Sequence, residues 1–100
     1  MIDPIKQLHD AKVKVALANL SQLTSAVHAY AAKNKGFPES LNALTEGKSP
    51  LVLEKMLLDP WGNPYAYDVS GPHHEGKAPD IWTDSPRRIR IGNWEKEPTK

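Results

Sequence analysis

The densest group of potential metal ligands in the sequence is His73-His74-Glu75, which lies between Gly71 and Gly76. Imidazole and carboxylate side chains are typical ligands of zinc and related metals. Adjacent residues on an extended chain point to opposite faces, so two neighbouring histidines seldom bind one ion. The flanking glycines indicate a solvated hairpin loop, and we predict neither a metal site nor a cofactor there.

The remaining candidates for acid–base or nucleophilic chemistry are scattered along the chain. His9 and His28 fall within a helical pattern, where a packed or half-exposed histidine is the simpler interpretation. The serines lack the strand–turn–helix context of a nucleophile elbow, and the sequence has no glycine-rich phosphate loop. The absence of cysteine excludes a disulfide scaffold, a thiolate zinc site and a cysteine nucleophile. We therefore predict no catalytic residue and no enzyme, because no convergent set of titratable groups is visible.

The one basic cluster in the sequence is Arg87-Arg88-Ile89-Arg90, with Trp82 and Trp94 close to it in the chain. Guanidinium groups beside aromatic rings can grip phosphates and stack on bases, which leaves a small nucleic-acid-binding module as one hypothesis. Against it, 13 Lys and Arg residues oppose 12 Asp and Glu residues, and the formal net charge is only +1. We interpret the three arginines as the solvated face of a strand that also protects its edge against unwanted pairing, and we expect no nucleic acid partner.

A long helix is predicted over residues 4–35. Asp3 suits the N-cap with Pro4 at the first helical position, and Gly36 followed by Pro38 ends the pattern. Apolar residues at helical spacing form one stripe, which consists of Val13, Ala16, Leu17, Leu20, Leu23, Val27, Tyr30 and Ala31.

The length of this helix predicts that its start protrudes. The helix would be about 48 Å long, whereas a compact domain of this size has a radius of gyration of only about 13 Å. We expect the part near Ile5 and Leu8 either to meet a partner or to continue from a preceding segment. The alternative is that about the first ten residues fray or form a separate turn.

The rest of the chain predicts loops followed by a small sheet. Residues 37–58 read as loop with short helical pieces, residues 59–94 as strands and turns, and residues 95–100 as a polar tail. The strand candidates, marked by alternating apolar residues, are Tyr65-Tyr67-Val69, Ile81-Thr83 and Ile89-Ile91. We predict a single domain of the α+β class, a long helix on a small antiparallel sheet whose core is closed by Trp61, Trp82 and Trp94.

One run of residues resembles a known family. Asp59-Pro60-Trp61-Gly62-Asn63-Pro64-Tyr65 is similar to the hallmark of the major pseudopilins of type II secretion. Further pieces follow in the family's order, namely Gly36-Phe37-Pro38, Leu41-Asn42-Ala43-Leu44, Pro79-Asp80-Ile81-Trp82-Thr83 and Ile91-Gly92-Asn93-Trp94. The resemblance covers about residues 11–94 and implies structural roles for the residues of the first run and for Asn93 and Trp94.

What the resemblance implies is a mechanical function. The family fold is a long N-terminal helix on a small antiparallel sheet. Family members are anchored in the inner membrane by a hydrophobic half of that helix, which is absent here, so the chain would be the soluble, periplasmic part of a longer protein. The subunits assemble into a homo-oligomeric filament that helps to export folded proteins through the secretion machinery. The resemblance implies that the exposed surface, including Arg87, Arg88 and Arg90, contacts neighbouring subunits or secretion partners. We expect the isolated domain to be a monomer, because its main assembly surface would be missing.

The resemblance also raises the question of calcium. The family usually carries a longer loop, rich in Asp and Gly, that binds this ion before the Asn-Trp ending. Here the corresponding stretch is Asp84-Ser85-Pro86-Arg87-Arg88-Ile89-Arg90, with one carboxylate and three cations. Since calcium needs six to eight oxygen ligands, we predict that the site is lost and that Arg and Pro contacts stiffen the loop instead. If calcium does bind, Asp80 and Asp84 are the expected ligands.

Two further alternatives stay open. A minor pseudopilin, or a pilin-like subunit of a type IV pilus or competence system, would share the fold. The sequence run at residues 59–64 favours the major secretion type.

Overall fold

The computed structural model describes residues 4–94, in which one long helix packs on a three-stranded antiparallel sheet. Helix α1 spans Pro4–Asn34, and the strands are β1 at Ala66–Asp68, β2 at Asp80–Asp84 and β3 at Arg90–Gly92. Short 3-10 helices lie between these elements, at Leu41–Thr45, Glu54–Leu57 and Pro72–His74. This arrangement confirms the predicted α+β class. The predicted N-cap Asp3 and the predicted tail at 95–100 lie outside the described residues.

Helix α1 is held by one buried stripe. Its buried side chains recur every three or four residues and end in an adjacent pair; they are His9, Val13, Ala16, Leu20, Leu23, Ala26 and Val27. The helix ends where Lys35 adopts a left-handed conformation with φ of 62°, one residue before the predicted boundary. Gly36 and the buried Pro38 follow, so the predicted stop signal is confirmed.

Strand β2 is the centre of the sheet, with β1 and β3 paired to it in antiparallel fashion. Ile81 on β2 and Ile91 on β3 are fully buried and join the apolar stripe of α1 in one core. Alternation along the strand places Trp82 on the opposite face, where its ring lies 6.2 Å from that of Trp94. The prediction that three tryptophans close the core is therefore wrong for these two, and only Trp61 packs against it.

The segment between α1 and the sheet folds back onto the helix. Leu41, Leu44 and Val52 are buried in the common core. The carbonyl of Leu44 accepts hydrogen bonds from the backbone N–H groups of Leu51 and Val52 at 2.8 and 3.2 Å. Tyr67 closes the segment on the other side, since its hydroxyl donates to the Pro38 carbonyl at 2.6 Å. Burial raises the pKa of Tyr67 to about 12, so this hydroxyl remains a donor at physiological pH.

The first turn of α1 projects beyond this core, as the length of the helix predicted. Its 31 residues span about 46 Å, and the longest dimension of the molecule is 52 Å. The side chains of Ile5 and Leu8 are 72% and 60% exposed, and His9 is the first buried residue. No helix within residues 4–94 combines the length and the hydropathy needed to cross a membrane.

Candidate assembly surface

The run Asp59–Pro64 forms a turn organised by one carboxylate. Asp59 Oδ1 accepts hydrogen bonds from the backbone N–H groups of Trp61 at 2.9 Å and Asn63 at 2.8 Å. The Asp59 N–H donates to the Asn63 carbonyl at 2.7 Å, and Gly62 takes the positive φ of 86° that the turn requires. The aspartate at the start of the run therefore shapes the whole turn.

The same carboxylate also ties the turn to the sheet. Its second oxygen, Oδ2, accepts a hydrogen bond from the hydroxyl of Thr83 in the middle of β2. Both residues are buried, with 5% of Asp59 and 4% of Thr83 exposed. A buried carboxylate needs such donors, because burying an unpartnered charge is costly. The turn chemistry was visible in the sequence, whereas its partner 24 residues away was not.

Asn93 ties separate elements together near the other end of β2, as Asp59 does at Thr83. Its side-chain oxygen accepts from the Ile81 N–H at 3.0 Å, and its amide donates to Thr24 Oγ1 at 3.0 Å and to the Pro79 carbonyl at 3.2 Å. The Thr24 contact reaches helix α1 directly. One side chain therefore joins β2, the residue before it and the helix.

Trp94 covers the outer face of the sheet at Gly92. A Cβ atom at Gly92 would lie 2.5 Å from the Trp94 ring, closer than any real contact. The Trp94 ring stacks on His73 with ring centroids 3.8 Å apart and an interplanar angle of 6°. Gly92 is thus required by the close approach of the indole ring.

His73 and His74 lie in the loop that joins β1 to β2, as the sequence predicted, and the His73 side chain is 51% exposed, but neither imidazole is free of protein contacts. They lie on the 3-10 helix Pro72–His74, and both imidazoles contact the buried carboxylate of Asp80. Each Nδ1 lies 2.7 Å from one oxygen of Asp80, and the His73 N–H donates to Oδ2 at 3.0 Å. The expectation that adjacent histidines point apart assumed a strand, whereas the 3-10 turn brings both rings to one side.

The protonation of this cluster follows from its geometry. Burial alone would raise the pKa of the Asp80 carboxyl, but the hydrogen bonds from His73 and His74 outweigh it and hold that pKa below its ordinary value. An ionised carboxylate can only accept, so each imidazole carries a proton on Nδ1. The cluster therefore fastens the 71–79 segment to the start of β2.

Residues 85–90, which we call the arginine loop, run from the end of β2 to the first residue of β3 and are closed by an ion pair. Arg90 donates to both oxygens of Asp84, from Nε at 2.8 Å and from Nη2 at 3.0 Å. This forked hydrogen bond holds the pKa of Asp84 below its ordinary value. The guanidinium of Arg90 also lies over the ring of Trp82, 5.5 Å from its centroid.

The interior of the arginine loop is organised by Ser85. Its hydroxyl oxygen accepts from the N–H groups of Arg87 and Ile89 at 3.2 and 3.3 Å, and its own N–H donates to the Ile89 carbonyl at 3.0 Å. His9 on α1 reaches the same hydroxyl, with Nε2 2.9 Å from Ser85 Oγ. The loop is thus attached to the second turn of the helix, by a contact between residues 76 apart that no local sequence pattern predicts.

The His9–Ser85 contact is structural and does not form a catalytic triad. Asp10 Oδ1 lies 3.7 Å from His9 Nδ1, beyond hydrogen-bonding distance. Ser85 is 4% exposed, and its oxygen is occupied by the loop's own N–H groups. A nucleophile needs access to a substrate, and this hydroxyl has none.

The structure does not bring Asp80 and Asp84 together as ligands of one ion. They stand at opposite ends of β2, about 13 Å apart along the strand, whereas calcium ligands lie about 2.4 Å from the ion. The oxygens of each are already engaged, by two histidines and by Arg90. Within residues 4–94, no three His, Asp or Glu side chains are grouped to hold a metal ion.

Of the three arginines predicted to form an interaction surface, Arg87 and Arg88 differ from Arg90. All three are exposed, but in the described part of the chain only Arg90 has an acidic partner. Arg88 adopts a left-handed φ of 61°, held by a hydrogen bond from its N–H to the Ser85 carbonyl at 2.8 Å. The loop therefore presents two unpaired guanidinium groups to solvent.

A long helix laid on a small antiparallel sheet is an α+β arrangement consistent with a pilin-like fold. The chain belongs to the family described as type II secretion system (T2SS), protein G, whose family model matches residues 4–84. This is the family of the major pseudopilin, which confirms the resemblance read from the sequence. It is a family of structural secretion proteins, periplasmic and associated with the membrane, and is not known for enzymatic activity. A comparison with curated proteins finds no match.

Proposed function

We propose that this chain is the periplasmic part of a major pseudopilin that assembles with copies of itself into the filament of the type II secretion system. An apolar segment before Pro4 anchors each subunit in the inner membrane and then packs in the filament. The filament works with the rest of the secretion machinery to export folded proteins. Membership of the family is the observation that carries this proposal.

The exposed start of α1 supports the assembly role. Ile5 and Leu8 are apolar, yet they are 72% and 60% exposed at the end of the helix that projects beyond the core. Large apolar side chains exposed together mark surfaces that contact a partner. In the proposal, this face packs against the same helix of neighbouring subunits.

The attachments between helix and sheet support a mechanical role. The sheet side of the molecule is hydrogen-bonded to α1 at His9, at Asn19 and at Thr24, and the first and last of these lie about 22 Å apart along the helix. A force applied along the helix axis is therefore passed to the sheet at three separate points as well as through the core. We propose that the subunit moves as one domain and carries no catalytic residue.

The membrane anchor can be tested on the gene. The sequence upstream of the codon for Ile2 should encode a short basic leader and then about 20 apolar residues, enough to cross a bilayer. A stop codon directly before a start at Met1 would remove the anchor. The pseudopilin fold would then stand, but the filament function would not.

A further inference from the structure

The arginine loop and the start of α1 together form a positively charged end of the molecule. His9 binds Ser85, so the loop lies against the second turn of the helix. Lys6 and Lys12 are each three residues from His9 and flank it on the same side of α1. We call the surface formed by Lys6, Lys12, Arg87, Arg88 and Arg90 the basic end.

The charge of the basic end is not balanced locally. Its five cations outnumber the three carboxylates that lie within four residues of them in the sequence, those of Asp3, Asp10 and Asp84, which leaves a net charge of +2, although the whole chain carries only +1. Among residues 4–94, Arg90 is the one cation of the basic end with an acidic partner, Asp84. Within residues 4–94, Lys6, Arg87 and Arg88 form no ion pair, and all three are exposed.

The position of the basic end identifies its partner. His9 is the fifth residue after Pro4, so the loop lies about 8 Å along the axis from the start of the described helix. That distance is about one Debye length at physiological salt, within which a charged surface still attracts a cation. If the chain enters the membrane just before Pro4, as the proposed function holds, the basic end faces the headgroups.

We propose that the basic end docks on the anionic headgroups of the membrane surface and orients the domain over its anchor. The inference rests on the proposed membrane anchor for its geometry. Arg87 and Arg88 are suited to lipid phosphates, because a guanidinium can donate two parallel hydrogen bonds to one phosphate group. In this orientation α1 continues out of the bilayer, and the docked arginine loop keeps the sheet on one side of the helix before the subunit enters a filament.

Vesicle binding by the 100-residue chain tests this proposal without any filament. We expect binding to vesicles containing about 30% phosphatidylglycerol at low salt, and loss of that binding at about 0.5 M salt and on pure phosphatidylcholine. Arg87→Glu/Arg88→Glu should weaken the partitioning at least about tenfold, since each basic residue near the surface contributes several-fold. The matched control, Lys33→Glu/Lys48→Glu, makes the same change in charge at the other end of α1 and should bind as the parent does.

A second variant controls for the possibility that Arg87→Glu/Arg88→Glu misfolds the arginine loop. Lys6→Glu changes an exposed helical position and leaves the arginine loop intact, so it should also weaken binding severalfold. Absence of binding by the parent at low salt, or equal binding by the parent and both variants, would overturn the proposal. The proposal would also be overturned if the parent self-associated without binding vesicles and Arg87→Glu/Arg88→Glu abolished that self-association. The surface would then be assigned to a neighbouring subunit. If the gene encodes no anchor, the proposed function fails whatever the vesicles show.

Discussion

The carboxylate of Asp59 and the hydroxyl of Thr83 meet in the interior, 24 residues apart in the chain. This hydrogen bond joins the turn before β1 to the middle of the central strand. The other oxygen of the same carboxylate shapes the turn itself. One side chain thus sets both the local conformation and the position of the turn on the sheet.

Removing this carboxylate should destabilise the fold strongly. Asp59→Ala leaves two backbone N–H groups and the Thr83 hydroxyl without an acceptor, and we expect a loss of about 3 kcal/mol in the free energy of unfolding. Asp68→Ala is the matched control, because Asp68 also accepts two hydrogen bonds, from the N–H and hydroxyl of Ser70, but these are exposed at the end of β1. Its cost should stay below about 1 kcal/mol. Urea unfolding measures the free energy of unfolding of both variants, and equal losses would contradict the structural role assigned to Asp59.

A methyl group at Gly92 should be tolerated only if Trp94 is removed. Gly92→Ala places a Cβ 2.5 Å from the indole ring and should cost about 1–3 kcal/mol through overpacking. In a Trp94→Ala background the same change should cost much less, which a double-mutant cycle measures. Gly36→Ala is the control, since no atom lies within 4 Å of its Cβ position. A Gly92→Ala cost that is the same in both backgrounds would contradict the predicted clash.

The Asp80 cluster should make stability depend on pH in the acid range. Because the folded pKa of Asp80 is held below the value of 3.8 expected for the unfolded chain, its contribution is present above that pH and is lost as pH falls through the folded pKa. Asp80→Asn removes the titrating group. The difference in unfolding free energy between parent and variant should therefore be large at pH 6 and shrink below about pH 3.8. A difference that stays constant across this range would contradict the assignment.

Calcium should have no effect on the stability of this chain. The two candidate ligands stand at opposite ends of β2 and are already paired, so we expect an unchanged melting temperature at about 1 mM calcium. Magnesium at the same concentration is the control for ionic strength. A rise in melting temperature with sub-millimolar calcium that disappears in Asp84→Ala would show that a site has been retained.

The sequence predicted the elements of this fold that depend on local patterns. The apolar stripe and the Gly-Pro stop defined α1 to within one residue, and the turn residues located the run at 59–64. The resemblance implied structural roles for this run, and the geometry gives Asp59 and Gly62 conformational roles that few other residues can fill.

The contacts between distant residues could not be predicted in this way. The flanking glycines predict the loop that holds His73 and His74, but alternation on an extended chain does not predict that both rings reach one carboxylate. They do so because the segment forms a 3-10 turn beside Asp80. The sequence signal that could have indicated this cluster is an Asp at the start of a predicted strand, with two histidines a few residues before it. The His9–Ser85 contact spans 76 residues and has no local signature.

Filament formation in cells tests the central claim most directly. The complete gene, expressed with its secretion machinery, should yield filaments visible by electron microscopy, and Leu8→Asp should abolish them by placing a charge on the exposed face of α1. Leu53→Asp is the matched control, because Leu53 is also 60% exposed but lies on the segment that follows the helix, so filaments should persist. Filaments in Leu8→Asp as abundant as in the parent, or none from the unaltered gene, would contradict the account.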